Sequence, residues 1–160
     1  MQTDLSADQV LDKMAKYCAY QERCLSDVKN KLRDFDLPAN AKQEILDYLI
    51  DNKFVDDSRF AKAFVRGKLN QNGWGVNKIR FNLLKKGIDK EIISEALSIV
   101  DEDGYKERLL HILQNKRIKA QNEYQARQKL VAYAIQKGFE PSVAWDVVNS
   151  MKITFDNKED

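Results

Sequence analysis

The chain has 160 residues, 43% of them hydrophobic and 32% charged, so folding can bury roughly two-thirds of the unfolded surface without disulfides or metals. Its formal net charge of +2 is unevenly spread: residues 1–60 carry nine Lys/Arg against twelve Asp/Glu, residues 61–137 sixteen against eight, and residues 138–160 two against five. Cys18 and Cys24 form no CxxC and sit beside no clustered histidine, the first residues lack a secretory pattern, and no apolar run approaches the ~20 residues of a membrane span; reduced thiols, no membrane insertion and a cytoplasmic location are expected.

Only two prolines and six glycines punctuate the sequence, and apolar residues recur at three and four rather than at two. Ser6 followed by Gln9 opens a leading helix as a capping box would. Leu46, Leu49 and Ile50 mark an apolar helical face, and Phe60, Ala61, Phe64 and Val65 mark another. Asp56 or Asp57 stands where a side-chain oxygen caps that second helix, at ~1 kcal/mol, while the other carboxylate favours the positive end of its dipole. Phe54 and Val55 precede the cap as a hydrophobic staple. Asp89 precedes the face of Ile92, Ile93, Ala96, Leu97 and Val100; Asn122 with Gln125 opens a further helix; Val143, Ala144, Val147 and Val148 mark the last. Gly87 and Gly138, each after a lysine, end helices as left-handed caps. An all-helical protein of about ten short helices is predicted.

The pattern repeats internally. Val28, Leu32 and Leu37 align with Ile79, Leu83 and Ile88, and these with Leu130, Ala134 and Phe139, at a step of 51 residues. KKGIDKEIISEAL and QKGFEPSVAWDVV then superimpose without a gap. The reading is an elongated tandem array in which each unit buries its apolar face against its neighbours. Residues 1–24 form a leading helix, 25–72 and 73–121 two three-helix repeats, 122–152 a shortened third, and 153–160 a tail. The shortened repeat leaves an apolar edge beside Ile153 and Phe155.

Catalytic readings find little support. Asp56 and Asp57 have no His, Cys or third acid nearby in sequence. His111 lies inside LLHIL on a helix, as a packed or half-exposed side chain would. DEDG, from Asp101, has Ile112 where a calcium loop needs a bidentate glutamate, so it reads as a turn and cap. NGWG, from Asn72, has no preceding strand and reads as an interhelix turn with Trp74 packed against a neighbour. No enzyme activity, cofactor or metal is expected.

The pieces FVDDSRFAKAFV, then GWGVNKIRFNLLKKGI, then a shorter copy with QKGF resemble, in this order and spacing, the RecX family of bacterial recombination regulators, from about Tyr17 to Met151. The resemblance implies tandem three-helix repeats that bind the RecA recombinase filament, lie along its groove and inhibit its ATP hydrolysis and strand exchange, modulating recombination, repair and the SOS response. It also implies contact with DNA. The family motif falls on Asp56, Asp57, Arg59, Phe60, Ala61 and Phe64, then on Gly73, Gly75, Ile79, Leu83, Lys86, Gly87 and Ile88, mostly as fold-specifying positions. The first copy departs from it, with Asp36 where the others have Gly87 and Gly138.

A helical array without a pocket acts through its surface. The basic residues away from the apolar stripe are Lys78, Arg80, Lys85 and Lys86, then Lys116, Arg117 and Lys119, then Arg127, Lys129 and Lys137. They suit either an acidic groove on a protein filament or a nucleic-acid backbone, and a stand-alone DNA-binding module is the alternative function. A monomer is expected, because the repeats cover one another's faces.

Overall fold

A computed structural model describes residues 5–157 of the chain; residues 1–4 of the leading segment and 158–160 of the tail lie outside the described residues. The described residues are all-α, with nine helices: α1 Ala7–Tyr20, α2 Leu25–Leu32, α3 Ala39–Asp51, α4 Asp57–Asn70, α5 Val76–Lys85, α6 Lys90–Leu97, α7 Glu102–Gln114, α8 Glu123–Gln136 and α9 Pro141–Ser150. None is long and apolar enough to cross a membrane.

The start signals at Ser6 and Asn122 act as read. The Ser6 hydroxyl accepts from the Gln9 amide while the Gln9 side chain accepts from the Ser6 amide, and Asn122 accepts from the Gln125 amide. Asp101 accepts from the Gly104 amide, which makes DEDG the opening of α7. Gly87 and Gly138 have φ of 78° and 101°, the left-handed region that a side chain disfavours. The first copy needs no such residue. Helix α2 ends at Leu32 in successive i to i+3 bonds from Arg33, Asp34 and Phe35, and Lys53 is the non-glycine with positive φ among the described residues, so Asp36 sits in ordinary backbone.

The chain divides into two compact units, one of residues 1–64 and 83–96, the other of residues 65–82 and 97–160. In the first, Val10, Met14 and Cys18 of α1 pack with Val28, Leu32 and Phe35 and with Ile45, Leu46 and Leu49 of α3. In the second, Tyr105, Leu109 and Leu113 of α7 pack with Ala126, Leu130 and Ala134 of α8 and with Phe139, Ala144, Val147 and Val148. Eight of the nine positions aligned by the repeat are buried, the exception being the half-buried Leu37; two residues before it Phe35, at 2% exposure, belongs to the core on which Leu37 packs. Ile50 departs from its predicted face: it is 39% exposed, and Ile45 takes the inward position instead. Cys18 and Cys24 are both buried free thiols, and burial pushes both above their ordinary pKa.

Candidate interaction surface

The two adjacent aspartates divide their work. Asp56 Oδ1 accepts from the Ser58 and Arg59 amides at 2.9 and 3.1 Å and caps α4. Asp57 Oδ1 accepts from the Leu25 amide at 2.7 Å, 32 residues away, and so satisfies the first turn of α2 rather than only its own helix. Arg59 reaches Glu22 with its Nε at 2.6 Å and the Lys53 carbonyl with its other end. Phe60 and Ala61 are buried, while Phe64 is half-buried with its ring 5.7 Å from that of Phe60. These motif positions hold the first unit together.

Lys86 belongs to the same scaffold. Its carbonyl accepts from the Ser26 hydroxyl at 2.8 Å, and its Nζ lies 3.4 Å from Asp27 Oδ1 and 5.6 Å from the Phe60 ring centroid. Burial opposes ionisation of Asp27, but hydrogen bonding to Cys24 and the charge of Lys86 outweigh it and hold its pKa below the ordinary value. Lys85 is exposed at the end of α5, in the first unit.

The second unit places most of the other basic candidates. Here NGWG is a turn, with Gly73 at φ 64°, and Gly75 does something a turn does not demand. Its amide donates to the Lys137 carbonyl at 2.8 Å, and the Asn77 amide donates to the Gly138 carbonyl at 2.8 Å. A Cβ on Gly75 would lie 2.1 Å from the Phe139 nitrogen, and one on Gly138 would lie 2.3 Å from the Lys78 Cβ. Glycine is therefore required on both sides for two backbones to touch. Beside this contact the Tyr105 hydroxyl accepts from the Val76 amide at 2.9 Å and donates to Glu140 Oε1 at 2.5 Å. Burial, reinforced by that bond to Glu140, raises the Tyr105 pKa far above the ordinary tyrosine value.

Around the docked turn lies a run of cations and rings. The Nζ atoms of Lys68 and Lys78 stand 4.7 and 4.5 Å from the Trp74 ring centroid. Lys137 donates to the Asn72 carbonyl at 3.4 Å and stands 5.9 Å from the Tyr133 ring, over which Lys116 stands at 4.4 Å. Such contacts hold a lysine over a ring face without neutralising it. Sequence reading singled out Lys78, Lys116 and Lys137 but missed Lys68, Trp74 and Tyr133 as their companions. The signal available was the Lys68, Trp74, Lys78 spacing, which becomes meaningful only once the Gly73 turn brings them together.

The remaining candidates are more committed to structure. Arg80 is exposed and donates to Asn77 Oδ1 at 3.1 Å. Arg127 bonds Glu123 at 2.9 Å and the Val148 carbonyl at 3.2 Å. Lys129 donates to the Lys119 carbonyl at 2.6 Å, and Lys116, Arg117 and Lys119 are exposed on the loop after α7. His111 is exposed on α7, and no group of three or more His, Cys, Asp or Glu among the described residues could hold a metal.

Sequence models of the RecX second and third three-helix domains match residues 56–97 and 103–148. A crystal structure of RecX from Lactobacillus salivarius superimposes with a TM-score of 0.77 at 26% identity, over 89% of this chain and 94% of that one. The chain belongs to the RecX family. A protein of Clostridium botulinum named Regulatory protein RecX is 34% identical over 125 residues, 76% of this chain and 58% of the relative. One of the same name from Mycolicibacterium smegmatis is 27% identical over 79% of this chain and 71% of its own length. The chain spans about 60% of the length of the Clostridium botulinum, Clostridium beijerinckii and Clostridioides difficile RecX relatives it matches. The matched second domain of RecX takes in α4 to α6, and the third takes in α7 to α9. Side-chain packing groups α1 with α2 and α3 in the same way, so each domain begins one helix before the glycine-aligned repeat.

Proposed function

We propose that this chain is a regulatory protein that binds the RecA recombinase filament and inhibits its ATP hydrolysis and strand exchange in the cytoplasm, acting as a monomer through the basic surface of its second unit. Membership of the RecX family and relatives named Regulatory protein RecX support the regulatory role. One observation favours the second unit as the contact. Asp27 and Lys86 pair in the first unit, and the positions 51 residues on are Lys78 and Lys137. Two cations replace an ion pair. Like charges gathered beside one turn cost stability unless an anionic surface answers them, and Trp74 and Tyr133 only park the ammonium groups. Repeats that engage successive protomers would add avidity to modest contacts.

The test is the DNA-stimulated ATPase rate of a RecA recombinase, titrated with this protein at fixed salt. Dose-dependent inhibition well below one protein per protomer is expected. The rings interleaved with lysines favour a second reading, a stand-alone nucleic-acid-binding module. An unchanged ATPase rate with bare-DNA binding that falls by roughly 0.9 powers of ten per decade of salt for each phosphate contacted would select that reading.

A further inference from the structure

We propose that residues 117–120, on the loop after α7, form a strand-addition site for an extended acidic segment of a partner polypeptide, and that the chain's own residues 154–156 occupy it in this structure. The Asp156 amide donates to the Ile118 carbonyl at 2.9 Å, and the Asp156 carbonyl accepts from the Ala120 amide at 2.9 Å, giving a parallel bridge between Lys119 and Asp156. Among described residues whose named elements are all helices, this is the hydrogen-bond pattern by which one parallel strand pairs with another.

The loop is prepared for such a partner. Ile118 and Ala120 are buried at 7% and 6% exposure, while Arg117 and Lys119 between and before them are exposed. That alternation is the two-residue period of a strand with one face on a core. Lys129 donates to the Lys119 carbonyl at 2.6 Å and fixes the loop backbone. Between the loop and the seated segment lies a cavity of about 490 Å³ whose lining includes Lys116, Arg117 and Phe155.

Two features set the chemistry of the occupant. The incoming residue must present an N–H to Ile118 and a C=O to Ala120, which a polypeptide has and a nucleic-acid backbone lacks. Three cations in four residues, Lys116, Arg117 and Lys119, select an acidic segment; the segment in place here carries Asp156, and the sequence of residues 153–160 holds three acids against one lysine. Ile153 packs on the core, while Phe155 is 36% exposed and the backbone pairing is one bridge long. A longer acidic strand that extends the ladder displaces it, and the tethered segment acts as a built-in competitor at millimolar effective concentration. The inference does not depend on which protein supplies the segment, nor on the filament reading.

The experiment is fluorescence anisotropy of a labelled peptide with the sequence of residues 153–160, titrated with the full chain and with a chain ending at Ile153, which keeps both Met151 and Ile153 on the core. Saturable binding to the shortened chain, weaker on the full chain by about ten-fold or more, is expected because the tethered copy competes. A peptide carrying Asp156→Pro, which loses the amide donor, should not bind. The full-length Asp156→Pro protein should take up the wild-type peptide as the shortened chain does, and it serves should that chain fail to fold. Equal binding to full and shortened chains, or none up to about 1 mM, overturns the proposal. So does equal binding of the proline peptide together with its displacement by oligothymidylate, which would make the loop a patch for any polyanion.

Discussion

Helices α2 and α5 begin 51 residues apart, and each begins against a Lys-Gly turn of the following copy, yet the two seats are built differently. In the first unit Cys24 holds the place that Gly75 holds in the second. With a side chain there, contact with the Lys86 carbonyl is made by the Ser26 hydroxyl, and the ion pair of Lys86 with Asp27 reinforces it. Without one, the Gly75 amide itself reaches the Lys137 carbonyl. The first amide of each helix also finds a different partner, the Asp57 carboxylate for Leu25 and the Tyr105 hydroxyl for Val76. The difference teaches that the repeat conserves the positions to be satisfied, not the groups that satisfy them. The second seat is made by backbone groups, and Lys78 and Lys137 lie instead against the Trp74 and Tyr133 rings; under the proposed function their charge serves a partner.

Breaking the backbone contact should have the largest effect. Gly75→Ala drives a Cβ into the Phe139 nitrogen, and neither backbone can yield without undoing the other's hydrogen bonds. A loss of about 3 kcal/mol or more in urea denaturation is expected. Gly87→Ala in the sister turn meets nothing within 4 Å and suffers only its φ of 78°, an expected cost of about 1 kcal/mol. Equal costs would mean that the two seats are alike after all.

Tyr105→Phe comes next. It strips the buried Val76 amide and Glu140 of one shared partner, for an expected ~1–3 kcal/mol by the same denaturation. Lys86→Gln is smaller, below about 1 kcal/mol, because both members of the pair are partly solvated. Its signature is pH dependence. The Asp27 pKa is lowered on folding, so its contribution is present above the ordinary carboxylate pKa and is lost as pH falls through the folded value. Thermal unfolding of Lys86→Gln should therefore lose less of its stability on acidification than that of the parent. An identical acid profile would remove the ion pair from the account of the first seat.

Much of this was legible in the sequence, for physical reasons that are local. The capping box at Ser6, the cap at Asn122 and the left-handed turns at Gly87 and Gly138 depend on residues within four positions of one another. The 51-residue period brought out the core positions because apolar burial leaves a spacing. What stayed hidden was long-range. Nothing near Asp57 says that its carboxylate serves Leu25, nothing near Gly75 says that a second glycine backbone will lie against it, and Lys86 looks like any surface lysine until Asp27 is folded beside it. Among the surface candidates, composition found the basic middle of the chain, but only the folded turn at Gly73 groups Lys68, Lys78 and Lys137 around Trp74 and Tyr133.

The smallest expected change in stability belongs to the most informative variant, Lys78→Asp. It gives the second seat the aspartate of the first and invites Lys137 into the pairing that Lys86 makes with Asp27, a swap on a half-buried surface worth within about 0.5 kcal/mol. The central claim is that these two lysines are positive for a partner's sake, and the most direct test is inhibition of the DNA-stimulated RecA ATPase by wild type and Lys78→Asp side by side. The account predicts an unchanged melting transition and inhibition that needs about ten-fold more of the variant, a cost typical of a lost charge pair at an interface. Equal inhibition by the two proteins would contradict it and would move the contact away from the second unit's basic turn.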